Sequence, residues 1–198
     1  VSDPCYEPGT WCQGIIKNML PGQYRVGGEI ADCGTWGHRI SKIWILHEEY
    51  RESPPNINIE DFEVGVDSGQ AGIYNHDYFM EQWADTQTSE EWYGRVCDAT
   101  YSKSNGSEFN IIDDKAVVSS SGFGDGSYYC TTARNNDGKI VYVEINFDVV
   151  DDDILAITDR FPGEMTLVGT TFFIDQSTGA KQPLKIIIPI FLGNGIFN

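Results

Sequence analysis

Basic residues are scarce in this chain. Thirteen Lys and Arg stand against 30 Asp and Glu, leaving a formal net charge of −17 at pH 7 and a pI near 4.3. A surface of that sign repels nucleic-acid phosphates and anionic lipid, so neither is expected as a partner. Long apolar runs are missing too. The stretch from Ile186 to Phe197 is short and is broken by Pro189, Gly193 and Gly195, which excludes a transmembrane helix of about 20 residues. The five cysteines, Cys5, Cys12, Cys33, Cys97 and Cys130, contain no C-x-x-C pair, which argues against a structural zinc site. Their odd number and scattered spacing leave two options open: free thiols, or a disulfide made by Cys5–Cys12 or by a pair that includes Cys33. The chain opens VSDPCYE, with no Met and no signal-peptide pattern. Val1 has the character of a strand interior, so further residues are expected upstream.

What is present points to a β-rich domain. Apolar residues make up 40% of the 198 and aromatics 13%, enough for a packed core. In KIVYVEINFD (139–148), Val141, Val143, Ile145 and Phe147 alternate with Tyr142, Glu144, Asn146 and Asp148, the period of a half-buried strand. NNDG at 135–138 joins it to SYYCTTAR, which predicts a β-hairpin over 127–148. A second hairpin is expected over 22–48, turning at TWGH, with Ile43 and Ile45 on one face and Lys42, Trp44 and Leu46 on the other. A third is expected over 166–190. Short helices are expected at 75–85, capped by Asn75, at 89–96, capped by Ser89, and at 9–20. The polar ESPPNINIED (52–61) reads as a linker. The predicted fold is all-β or β-rich α+β: antiparallel hairpins in a sandwich or barrel-like domain with two or three short helices. Residues 1–150 form that domain, in two loosely similar halves (1–51 and 62–150), and 151–198 add a β extension with an apolar tail.

The stretch SSSGFGDGSYYC (119–130) looks at first like a phosphate loop or a nucleophile site. A phosphate cradle needs a helix N-terminus after its glycines. Here strand sequence follows Gly126, and Asp125 puts a negative charge where the phosphate would lie. A nucleophile elbow needs G-x-S-x-G, whereas these serines precede the glycines. A tight structural turn remains: Gly122, Gly124 and Gly126 let the chain reverse, and Asp125 can bond the backbone of its own turn.

The segment AVVSSSGFGDGSYYCTTARNNDGKIVYVEINF resembles the closing motif of a bacterial and phage domain family of unknown function, number 4241. VGVDSGQAGIYNHDYF (64–79) resembles the upstream strand and turn of that family, and VSDPCYEPGTWC resembles a segment of related small proteins. The resemblance covers about residues 1–150. It implies a compact β-rich domain and no particular reaction.

Candidate site residues follow from the polar turns. Asp3 and Asp67 stand in similar turns after presumed strands and can line a shared groove with Ser121 and Asp125. Asp151, Asp152 and Asp153 could hold a divalent cation weakly. No other cofactor is expected. A Cys–His pair drawing on Cys5, Cys12 or Cys97 has no diagnostic frame. The apolar tail (Ile186, Ile187, Ile188, Ile190, Phe191, Leu192 and Phe197) is expected at an interface, because exposed strand of that kind pairs with other chains. The expectation is therefore a non-enzymatic structural or interaction protein, a homo-oligomer or part of a larger assembly such as a phage virion. The sequence leaves the compartment open, with a virion or extracellular assembly favoured over the cytoplasm. The alternatives are a small-ligand or cation-binding protein or hydrolase built on the Asp-lined groove, and an acidic antagonist of a basic partner.

Overall fold

The computed structural model describes residues 1–10, 13–50, 60–101 and 109–149, together with the backbone of 157–158, 172–174, 181–183 and 196–197. The larger sheet contains β1 (Gly22–Asp32), β2 (His38–His47), β3 (Glu60–Val66), β7 (Gly126–Arg134) and β8 (Ile140–Asn146). Its strand order is β1-β2-β8-β7-β3, every pairing antiparallel. The smaller sheet has the order β4-β6-β5, from β4 (Gln70–Tyr74), β5 (Phe109–Ile112) and β6 (Ala116–Ser120). Two helices, α1 (His76–Glu81) and α2 (Thr86–Thr100), cover the far side of the smaller sheet. The architecture is a β-rich sandwich with a helical layer, and the described strands do not close into a barrel.

Two cores follow from the strand period. Between the sheets, Ile43, Ile45, Val64, Val143 and Ile145 of the larger sheet meet Ala71, Ile73, Val117 and Phe109 of the smaller one. On the other face of the smaller sheet, Tyr74, Ala116 and Val118 pack on Tyr78, Phe79, Trp92 and Val96. Trp92 is fully buried, with the rings of Phe79, Tyr78 and Tyr74 at 5.9, 6.0 and 6.2 Å. Each such edge-on ring pair adds about 0.5–1.5 kcal/mol beyond area burial.

Both main hairpins form as expected. β1 pairs with β2 and β7 with β8, and the facing of Ile43 and Ile45 against Lys42, Trp44 and Leu46 holds. Lys42 pairs Glu29 at 2.9 Å on the outer face. Of the third hairpin, β10 (Phe172–Ile174) pairs antiparallel with β11 (Lys181–Pro183), and the rest lies outside the described residues. Short strands β9 (Ile157–Thr158) and β12 (Ile196–Phe197) both pair with the free edge of β1.

Three local expectations need correction. Residues 13–18 of the expected helix 9–20 are not helical. Asn18 sits at φ 64°, and the segment bonds distant backbone instead: Gly14 N–H to Val1 O at 2.8 Å and Ile140 N–H to Asn18 O at 2.9 Å. The second expected helix starts earlier than Ser89. Asp85 caps it, accepting from Thr88 N at 2.9 Å while Thr88 Oγ1 accepts from Asp85 N at 3.2 Å, a reciprocal capping box. The expected linker 52–61 ends sooner, because Glu60 and Asp61 already pair in β3. Residues 51–59 lie outside the described residues.

Candidate functional site

Three turns meet at one end of the sandwich. β3 belongs to the larger sheet and β4 to the smaller, so the chain must change sheets across Asp67-Ser68-Gly69. Asp3 holds that corner. Its carboxylate is buried and accepts four hydrogen bonds: from Cys5 N at 2.9 Å, Asp67 N at 3.0 Å, Ser68 N at 2.8 Å and Ser68 Oγ at 2.7 Å. Tyr6 OH donates to Asp67 Oδ2, and that bond pushes the phenol up to about 12. A cavity of about 10 Å³ between Asp3, Tyr6, Gln13, Gly65 and Asp67 has room for about one water molecule.

The third turn is the Ser- and Gly-rich one. Ser121 N–H donates to Gly69 O at 3.0 Å, and Asp125 Oδ1 lies 3.9 Å from where a Gly69 side chain would begin. So Asp3, Asp67, Ser121 and Asp125, expected to line one groove, do come from neighbouring turns. Their roles differ. Ser121 is buried, its hydroxyl donating to Gly124 O at 2.8 Å. Tyr128 OH closes the same turn, 3.1 Å from Ser121 O and 2.5 Å from Gly124 O. Serine and tyrosine thus do the closing expected of Asp125, whose carboxylate is exposed. Gly122 needs its φ of 55°, and a Cβ there would stand 3.0 Å from Phe147 Cβ and O. The turn is therefore a rigid pedestal.

What the pedestal carries was missed in the sequence. Phe123, between Gly122 and Gly124, is 57% exposed, and Trp36, in the β1–β2 turn, is 69% exposed. Their rings meet edge-on at 6.4 Å, and the Arg39 guanidinium lies 5.9 Å above the Phe123 ring. The signal was available: a large aromatic inside a glycine turn (Gly34-Thr-Trp36-Gly37, Gly122-Phe123-Gly124) has no core to point into.

A second cavity, of about 90 Å³, opens between the sheets and α1, walled by Ile16, Met19, Ile45, Ile73, Phe79 and Val143. Gln13 at its rim is bonded to Glu7 O and Gly9 N, and Asn75 caps α1. On the helical side, Asp113 accepts from Tyr78 OH at 2.8 Å and pairs Arg95 at 2.6 Å, and Arg95 holds its carboxyl below the usual range. Among the described residues, no group of three or more His, Cys, Asp and Glu is placed to hold a metal ion. Asp151, Asp152 and Asp153 lie outside the described residues, as do Ile186, Ile187, Ile188, Ile190, Phe191 and Leu192. Phe197 stands opposite Gly22 at the edge of β1. No helix among the described residues is long and apolar enough to cross a membrane.

Against known proteins, one family model, described as a protein of unknown function (DUF4241), matches residues 44–145. No curated protein and no solved structure matches the chain. The matched residues include the glycine turn with Phe123, while Trp36 and Arg39 lie outside them.

Proposed function

The chain belongs to the DUF4241 family of proteins of unknown function; from that premise, which fixes no reaction, we propose that it is a non-enzymatic interaction protein that associates with a second copy of itself. The observation that carries this is the exposed Trp36–Phe123 pair with Arg39 over its ring. Trp and Arg dominate the energetics of protein interfaces. Aromatics held outside by a rigid turn lose little freedom on binding, so more of their contact energy appears as affinity. The corner also carries both signs of charge beside its apolar centre, Arg39 and the exposed Asp125. A two-fold contact places the same patch on both partners, so Arg39 of each copy can face Asp125 of the other. The Asp-lined groove has less support, because all four bonds to Asp3 are made within the chain. Assembly into a larger particle, such as a virion, would reuse the same corner.

Sedimentation velocity over a concentration series tests this, with the full chain, the double variant Trp36→Ala/Phe123→Ala, and a chain lacking 186–198. The expected result is a concentration-dependent dimer that the double variant loses while keeping its circular dichroism and melting temperature. Each copy carries a net charge of −17, so association should tighten as salt rises from low to physiological strength. A full chain that stays monomeric overturns the proposal. So does a double variant that associates like the parent while deletion of 186–198 abolishes association.

A further inference from the structure

We propose that Cys5 and Cys97 form a reversible disulfide that ties α2 to the Asp3 turn. The two thiols come from distant parts of the chain and meet on one side chain. Cys5 Sγ donates to Gln70 Oε1 at 3.8 Å, and Gln70 Nε2 donates to Cys97 Sγ at 3.9 Å. A single carboxamide therefore spans the pair. Both thiols are partly exposed, whereas Cys130 is buried and Cys33 faces the Ala31 carbonyl on another turn. The elements that carry them are already fastened together: Trp92 Nε1 donates to Pro4 O at 2.8 Å, next to Cys5 and little more than one helical turn from Cys97. Tyr93 stands one turn before Cys97, and the neighbouring thiol pushes its phenol up. Closure requires Gln70 to rotate outward and the two sulfurs to come together over Cα atoms no more than about 7 Å apart, the condition disulfide geometry sets.

The oxidant is a low-molecular-weight disulfide such as oxidised glutathione. The Cys97 thiolate attacks one of its sulfurs, breaking that S–S bond and releasing one glutathione thiol. Cys5 then attacks the Cys97 sulfur of the mixed disulfide and displaces the second glutathione. Two protein thiols are oxidised to one disulfide, one glutathione disulfide is reduced to two thiols, and the protein's two protons end on the departing glutathiones. Burial pushes the Cys5 thiol up to about 12, so ring closure is the slow step and quickens as pH rises.

The test incubates the full chain in glutathione redox buffers and follows intact mass, free-thiol count and non-reduced peptide maps. The expected product has lost two hydrogen atoms, yields a Cys5–Cys97 cross-linked peptide, and returns to the starting mass with dithiothreitol. Its melting midpoint rises by about 10 °C, as closing so long a loop implies. Cys5→Ser and Cys97→Ser each abolish the product, and Gln70→Ala speeds closure several-fold. The proposal is overturned by a Cys5–Cys12 cross-link, by a glutathione adduct that persists on either thiol, or by both thiols staying free while Cys33 reacts. A Gln70→Ala chain that closes no faster overturns the carboxamide as the barrier.

Discussion

Replacing Asp3 with Ala should unfold this domain far more readily than its place near the chain start suggests. The carboxylate is 4% exposed and accepts from three backbone N–H groups and one hydroxyl. A hydrogen bond to a charged group contributes about 1.5–3 kcal/mol. The four do not add fully, because Cys5 and Ser68 are partly exposed and their donors can regain water once the carboxylate is gone. Two bonds' worth at about 1.5–2.5 kcal/mol each is the reasonable sum, so Asp3→Ala should cost about 3–5 kcal/mol. Asp3→Asn keeps one acceptor oxygen but turns an amide against the remaining donors, and should cost about 2 kcal/mol. Urea unfolding followed by tryptophan fluorescence reads this directly. With a slope of about 2 kcal/mol per molar, the midpoint falls by about 1.5–2.5 M for Ala, with the slope unchanged. A loss below about 1 kcal/mol, or a gain, would refute the reasoning. A gain would mean that Asp3 is held under strain for a ligand, since carboxylates kept for function cost stability.

Two further outcomes follow from the turns and the helical layer. Gly122→Ala should cost about 2–3 kcal/mol, from a left-handed backbone and a Cβ pressed against Phe147, whereas Gly138→Ala, with φ 75° and open space around it, should cost only about 1 kcal/mol. Thermal melts of the two variants separate the steric part from the conformational part, and equal losses would exclude the contact. The Asp113 carboxyl is held below its ordinary value, first by Arg95 and then by Tyr78. That stability is present above the unfolded carboxylate range and is lost as pH falls through the folded value. The side chain is 53% exposed, so Arg95→Ala should cost under about 1 kcal/mol near neutral pH. Its melting temperature should converge with the parent's in strong acid, and a gap that persists there would show that Arg95 acts by packing.

Strand content was legible because its signals are local. The alternation in 139–148 and the NNDG turn need no distant partner, and β7–β8 formed as they imply. Failures came where a distant group decides the local structure. QGIIKNML has helical spacing, yet Gly14 bonds Val1, 13 residues back, and Asn18 bonds Ile140, a contact that no window of sequence contains. The run VGVDSGQAGIY holds two strands of different sheets, because Asp3 clamps the corner between them from 64 residues away. Asp85 was passed over as a cap in favour of Ser89, although Asp85-Thr-Gln-Thr88 carries a capping box with Thr in place of the usual Glu. The nearness of Asp3 and Asp67 could be guessed from their similar turns, but the direction of their hydrogen bonds could not. A carboxylate that looks free in sequence is here occupied by the backbone it organises.

The same chemistry explains why the aromatic corner stands out. The glycine turn is held at several points: the Ser121 and Tyr128 hydroxyls bond its carbonyls, Gly124 N–H bonds Ser121 O, Ser121 N–H bonds Gly69 O, and a Cβ on Gly122 would press on Phe147. The one large side chain between its glycines must therefore project outward, whatever its polarity. A protein of this acidity keeps its solubility with a polar residue at such a point, so Phe there costs solubility unless it is covered. Trp36 covers only one edge of the ring and is itself 69% exposed. Two mutually touching aromatics that still face water leave most of their apolar area unburied. Under the proposed self-association a second copy's corner would bury that area, and a turn held by its own hydrogen bonds would lose little freedom in doing so.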